Sequence, residues 1–164
     1  MVDVRQQPSS KTPNNRQVSL RNSALGLLAR REHSRHELQQ KLIQKLPVDG
    51  AVEGDRDAIP ALLDRLTEQG LLSDERFTEA YVNMRARKGY GPTRIAIELA
   101  EKGIVDELAQ VYLERSDWRA LLAETWRKKF NKLPVDYPEK ARQMRFLHFR
   151  GYDTEAIQQL FEEL

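Results

Sequence analysis

Asn83 to Ile104 reads NMRARKGYGPTRIAIELAEKGI, and how these residues are parsed decides the fold. A basic segment runs into Lys88-Gly89-Tyr90-Gly91-Pro92. Gly89 and Gly91 can take backbone angles closed to other residues, and Pro92 suits the first turn of a helix. One helix therefore stops and another restarts, giving a tight corner. Beyond it Ile95, Ala96 and Leu99 recur at helical spacing, Glu98 precedes Lys102 by four residues as an expected ion pair, and Gly103 is placed to end the helix. Arg85, Arg87, Lys88 and Arg94 gather around the bend.

The same grammar extends in both directions. Towards the amino terminus, Ser73 with Asp74 and Glu75 starts the incoming helix, whose expected buried face is Phe77, Ala80, Tyr81 and Met84. Before it, Ile59, Leu62, Leu63 and Leu66 form a stripe closed by Gly70, after a loop from Val48 to Asp57. Ser34 and Glu37 fit a capping box ahead of Leu38, Leu42 and Leu46, and Pro47 ends that helix. Ser19 is the expected cap of a first helix carrying Leu20, Ala24, Leu27 and Leu28 and ending near Arg31. Towards the carboxyl terminus, a helix from Val105 to Glu114 turns Leu108, Val111 and Tyr112 inward. Asp117 caps one with Trp118, Leu122, Trp126 and Phe130 on a stripe. Asp136, Pro138 and Glu139 open one with Ala141, Met144 and Leu147, and Asp153 caps the last, with Ile157, Leu160, Phe161 and Leu164. No stretch alternates like a strand, so the protein is all-α.

Composition narrows the classes of function. A formal net charge of +2 over 164 residues does not by itself call for a polyanion. Charge is uneven, however: Glu53 to Glu79 holds eight acidic against three basic residues, and Arg127 to Arg150 eight basic against two acidic. With no cysteine there is no disulfide, thiolate metal site or thiol nucleophile. No apolar run reaches the roughly 20 residues of a membrane span, and the amino terminus lacks the apolar core of a secretion signal, so a cytoplasmic protein without membrane contact is expected. Residues 1–18, with Arg5, Lys11 and Arg16, have the composition of a flexible basic tail.

The corner recurs. Arg31-Glu32-His33-Ser34 aligns with Lys88-Gly89-Tyr90-Gly91 and with Arg150-Gly151-Tyr152-Asp153, the ring residue always third. In the same register Leu38 matches Ile95 and Ile157, and Leu42 matches Leu99 and Phe161. A period of 57 to 62 residues implies tandem helical units. The expected divisions are 19–70, 71–115 and 116–164.

Several segments together resemble the RecX family, bacterial regulators of RecA recombinase. They are Leu28 to Leu38, the run Gly70-Leu71-Leu72-Ser73-Asp74-Glu75-Arg76-Phe77, the core Arg85 to Ile95, and the closing Arg145-Phe146-Leu147-His148-Phe149-Arg150-Gly151-Tyr152. The resemblance runs from about residue 19 to the end and implies three tandem three-helix, helix-turn-helix-like repeats in an elongated, curved array. It also implies a monomer lying in the groove of the RecA filament on single-stranded DNA. There it would inhibit the recombinase, ATPase and co-protease activities of RecA and damp recombination and the SOS response.

Catalytic readings find little support. His33, His36 and Glu37 do not converge on one helical face, so no metal site is expected, and Ser34 is a cap rather than a nucleophile. Gly89-Tyr90-Gly91-Pro92 lacks the Gly-Lys-Ser/Thr ending of a phosphate loop. The expectation is a non-enzyme without cofactor. The candidate contacts to RecA or DNA are Arg30, Arg31 and Arg35 at the first corner, Arg85, Arg87, Lys88 and Arg94 at the second, and Arg145 and Arg150 at the third. If the corners share a concave side they form a positive stripe, with weak binding to free DNA as a corollary. Tyr90 and Tyr152 are expected to pack across their corners rather than stack on bases, and Trp118, Trp126 and Phe130 to be core. Glu162 and Glu163 sit at a helix end that disfavours negative charge, for which sequence offers no reason. The competing function is a helix-turn-helix-like DNA-binding protein acting without RecA.

Overall fold

The structure, a computed structural model, describes residues 13–46 and 56–164. These form nine helices and no strand: α1 (Pro13–Leu28), α2 (Arg35–Gln44), α3 (Ala58–Glu68), α4 (Asp74–Arg87), α5 (Pro92–Glu101), α6 (Asp106–Leu113), α7 (Trp118–Lys129), α8 (Tyr137–Phe149) and α9 (Thr154–Glu163). They divide between Leu72 and Ser73 into two compact units.

In the first unit α1–α3 surround Leu20, Ala24, Leu38, Leu42, Ile59, Leu62, Leu63, Leu66 and Leu72. The second unit holds two further three-helix cores. One is Phe77, Val82, Ile95, Leu99, Ile104, Ala109 and Leu113 from α4–α6. The other is Leu122, Trp126, Leu147, Tyr152, Ile157 and Leu160 from α7–α9. Each helix buries one stripe against the other two of its trio, which is why the apolar pattern returns three times along the chain.

Side-chain caps set most of the helix starts. The hydroxyls of Ser34 and Ser73 accept from the amides of Glu37 (3.0 Å) and Arg76 (3.2 Å). The carboxylates of Asp117, Asp136 and Asp153 accept from Ala120 (3.0 Å), Glu139 (2.8 Å) and Ala156 (2.8 Å). Each satisfies a donor that the first helical turn leaves over. At the end of α4, Gly89 takes φ +78°. This lets the amides of Gly89 and Tyr90 return to the carbonyls of Ala86 and Arg85, a left-handed closure that costs glycine nothing.

Four expectations need correction. α1 starts at Pro13, so Ser19 lies inside the helix and not at its cap, and the helix ends at Leu28 rather than near Arg31. The overlooked signal is Pro13 itself, whose missing amide costs nothing in a first turn. On α4 the buried face is Phe77, Thr78, Val82 and Ala86, while Ala80 and Met84 are exposed. Thr78 can go inside because its hydroxyl donates to the Asp74 carbonyl at 2.6 Å. On α6 Ala109 and Leu113 are buried and Val111 is exposed, and at the carboxyl end Leu164 is exposed. The tail up to residue 12, Pro47 and most of the Val48–Asp57 loop lie outside the described residues.

Gly26 lies within α1, and a Cβ there would meet nothing within 4 Å. Gly26→Ala should therefore stabilise the protein by about 0.5–1 kcal/mol by restricting the unfolded chain, a shift that urea unfolding would register. No gain would mean that α1 is frayed at this point.

Candidate functional site

The second and third corners meet inside the second unit. Gly91 is the N-cap residue of α5 and has no side chain with which to cap it. The end of α8 supplies what is missing. The Gly91 amide donates to the Arg150 carbonyl at 2.7 Å, and the Thr93 amide to the Gly151 carbonyl at 3.2 Å. Arg94 adds a guanidinium bond to the Phe149 carbonyl at 3.3 Å. The leftover carbonyls of one helix end thus satisfy the leftover amides of another, and the two macrodipoles meet head to tail. Arg150 closes the contact by donating to the Lys88 carbonyl at 2.9 Å.

This approach dictates the glycines. Gly91 has φ −87°, which any residue can adopt, so its need is space and not backbone freedom. A Cβ there would lie 2.6 Å from the Tyr152 nitrogen and closer still to the Gly151 carbonyl. Gly151, at φ +94°, faces the Arg94 backbone in the same way.

Beside this junction lies a basic cleft of about 240 Å³, lined by Arg87, Lys88, Lys128, Lys129 and Arg150, with Phe146 and Thr125 among its walls. Its one carboxylate, Glu124, pairs with Lys128 at 2.6 Å. Among the described residues no carboxylate lies within ion-pair distance of Arg87, Lys88, Lys129 or Arg150. The cations stand at the carboxyl ends of α4, α7 and α8, where the dipoles favour them. Lys128 and Lys129 were missed as candidates, although the run Arg127-Lys128-Lys129 at a helix end is a visible signal. Such a cleft can hold an anion; it presents no nucleophile paired with a base.

The remaining candidates have different surroundings. Arg85 is turned inward, its side chain 15% exposed and paired with Glu98. Arg85, Arg94 and Arg150 all stand over the Tyr90 ring, with guanidinium carbons 3.6, 5.1 and 4.8 Å from its centroid. The ring face offsets part of the repulsion among three cations, and Tyr90 packs at its corner as expected. Tyr152 is buried too, its hydroxyl 3.2 Å from that of Thr125. Arg145 is exposed on α8.

Glu98 is the hub of the second corner. It accepts from Arg85 twice, from Arg94 at 3.1 Å and from the Tyr81 hydroxyl at 3.1 Å, so its partners are these and not the expected Lys102. Lys102 lies 5.5 Å over the Tyr81 ring. Burial pushes the Glu98 carboxyl up, but the bonds from Arg85, Arg94 and Tyr81 outweigh it and hold the group below the usual carboxylate range. Burial, reinforced by Glu98, pushes the Tyr81 phenol up to about 12.

At the first corner Arg31 grips the Glu37 carboxylate with both nitrogens, at 2.9 and 2.7 Å, and Arg35 pairs with Asp64 at 2.8 Å. Arg30 is exposed. His33 is buried with Nδ1 3.0 Å from the Arg31 carbonyl, and burial holds its pKa below the ordinary histidine value. His36 and His148 are exposed. Glu163 pairs with Arg119 on α7, a partner that sequence did not reveal.

Sequence models of three RecX domains match the chain: the first three-helix domain over residues 21–49, the second over 73–113 and the third over 117–161. The regulatory protein RecX of Pseudomonas fluorescens (strain SBW25) is 46% identical over 146 residues, 87% of this chain and 90% of that protein. That of Pseudomonas savastanoi pv. phaseolicola (strain 1448A / Race 6) is 47% identical over the same shares. The crystal structure of RecX from Lactobacillus salivarius superposes with a TM-score of 0.75, covering 92% of this chain and 97% of that one at 23% identity. A second crystal structure, of a regulatory protein RecX, gives 0.72 at 15% identity, with 99% and 83% covered.

Proposed function

The chain belongs to the RecX family of regulatory proteins, and from that premise we propose that it binds the RecA filament on single-stranded DNA and inhibits RecA's recombinase, ATPase and co-protease activities. The supporting observation is the basic cleft, where Arg87, Lys88, Lys129 and Arg150 have no carboxylate partner among the described residues. The junction of α5 and α8 holds those cations in fixed positions from two adjacent three-helix cores. A rigid body seated across neighbouring subunits would oppose the interface movements of a working filament ATPase. Damping of recombination and of the SOS response follows from that brake.

Reversing Arg87 and Lys88 together to Glu should weaken binding to the filament by at least about tenfold. It should also lower the slope of log affinity against log salt by about one to two, because up to two phosphate contacts are lost. Both side chains are exposed, so thermal stability should hold. Unchanged binding with an unchanged slope would remove the cleft from the mechanism.

Action on DNA without RecA is the weaker alternative. A helix-turn-helix reader presents the first residues of its second helix to base edges. At the second corner the start of α5 is covered by Gly151. Tight, sequence-dependent binding of duplex by the purified chain would reverse the preference.

A further inference from the structure

The loop between α7 and α8 and the first residue of α8 expose three apolar side chains: Leu133 at 54%, Val135 at 89% and Tyr137 at 82%. Scattered exposed apolar residues need no explanation, but three within five positions are a concentration that calls for one. The backbone that carries them is fixed from beneath. Gln143 is buried, accepts from the Trp126 indole at 2.7 Å and donates its amide to the Lys132 carbonyl at 3.3 Å. Glu139 accepts from the Val135 amide at 3.1 Å, and Asp136 caps α8. Asn131 turns the chain at φ +51°, an angle asparagine tolerates better than most residues. A buried amide thus holds a surface loop in the conformation that displays its apolar side chains.

We propose that Leu133, Val135 and Tyr137 form a preorganised docking knob for a protein surface whose apolar cleft is rimmed by carboxylates. Charge complementarity selects the rim, because Lys132 is exposed in the loop itself and the stretch from Arg127 to Arg142 holds six basic residues against Asp136 and Glu139, the latter already paired with Arg142. Two copies meeting knob to knob would oppose these like charges. A lipid surface needs no fixed backbone. A fitted protein contact gains from a backbone ordered in advance. The proposal rests on filament binding and assigns the salt-independent part of it to the knob, leaving the salt-dependent part to the basic cleft.

The test is binding to RecA filaments on single-stranded DNA over a range of salt, for the wild type, the triple variant Leu133→Ser/Val135→Ser/Tyr137→Ser, and Gln143→Met. The triple variant should bind at least tenfold more weakly at every salt concentration, with the salt slope, thermal midpoint and binding to bare single-stranded DNA unchanged. Gln143→Met keeps the apolar side chains but frees the loop, and should lose part of the same affinity. Equal binding by the triple variant would overturn the knob while leaving filament binding intact, and a wild type that does not bind would remove both. A parallel loss on bare DNA would make the loop a nucleic-acid contact instead. A wild-type dimer abolished by the substitutions, or binding to phosphatidylglycerol vesicles abolished by them, would assign it to self-association or to lipid.

Discussion

Gly91→Ala is expected to destabilise the protein by about 3 kcal/mol. The added methyl would drive into the Gly151 carbonyl and the Tyr152 amide, which are backbone atoms at a helix end and cannot swing aside as a flexible side chain could. Overpacking of this kind costs about 1–3 kcal/mol. Displacing α8 also weakens the amide bonds of Gly91 and Thr93, each worth about 1 kcal/mol. Gly151→Ala meets the Arg94 backbone and must in addition hold φ +94° with a side chain, so its loss should be at least as large. The double variant should fall well short of the sum, since both substitutions break one contact. Urea unfolding of the three variants decides the matter, and a Gly91→Ala change below about 0.5 kcal/mol would mean that the junction is loose.

Replacing Glu98 should have a similar effect by a different route. Its side chain is 17% exposed and takes the charge of the largely buried Arg85 together with bonds from Arg94 and Tyr81. Glu98→Ala leaves that guanidinium buried without its partner, at a cost of about 3 kcal/mol. A pH signature accompanies the loss. The folded chain holds Glu98 below its ordinary value of 4.5, so at acid pH the unfolded chain takes up the proton first. The stabilisation is complete above about pH 4.5 and drains away as the pH falls through the lower folded value. The Tyr81 phenol is raised from 10.0 to about 12, so its contribution is complete below pH 10 and is lost as the pH climbs towards 12. The stability gap between wild type and Glu98→Ala should therefore be widest between these limits and narrow towards acid and towards alkali. A gap that does not change with pH would show that the carboxylate is replaceable by packing alone.

Features governed by neighbours in the chain were legible beforehand: the corners, the caps at Ser34, Ser73, Asp117, Asp136 and Asp153, and the stripes of α2, α3, α5, α7 and α9. Features that needed the third dimension were not. Burial of Thr78 depends on a bond to its own helix, which polarity scales do not register. The partners of Glu98 come from across the corner, whereas sequence offered only the residue four positions on. Gly91 looked like a residue wanting backbone freedom, and the reason for it lies 60 positions away at Gly151. The candidate cations were gathered by proximity to corners, which did not separate exposed Arg87 and Lys88 from inward-turned Arg85 and overlooked Lys128 and Lys129.

The cap supplied to α5 by α8 also bears on how such a chain can be edited. The three corners share a pattern, but the slot held by Gly91 is occupied by Ser34 in the first corner and by Asp153 in the third, and those two cap their own helices. Of the three corners only the middle one lacks a side-chain cap, and its amides find their acceptors in its successor. The modules are therefore not interchangeable copies. A shuffled chain with the third corner's sequence in the middle would bring in a self-sufficient helix start with a side chain where a carbonyl must fit. The shared pattern makes the corners alike, and one missing side chain fixes their order.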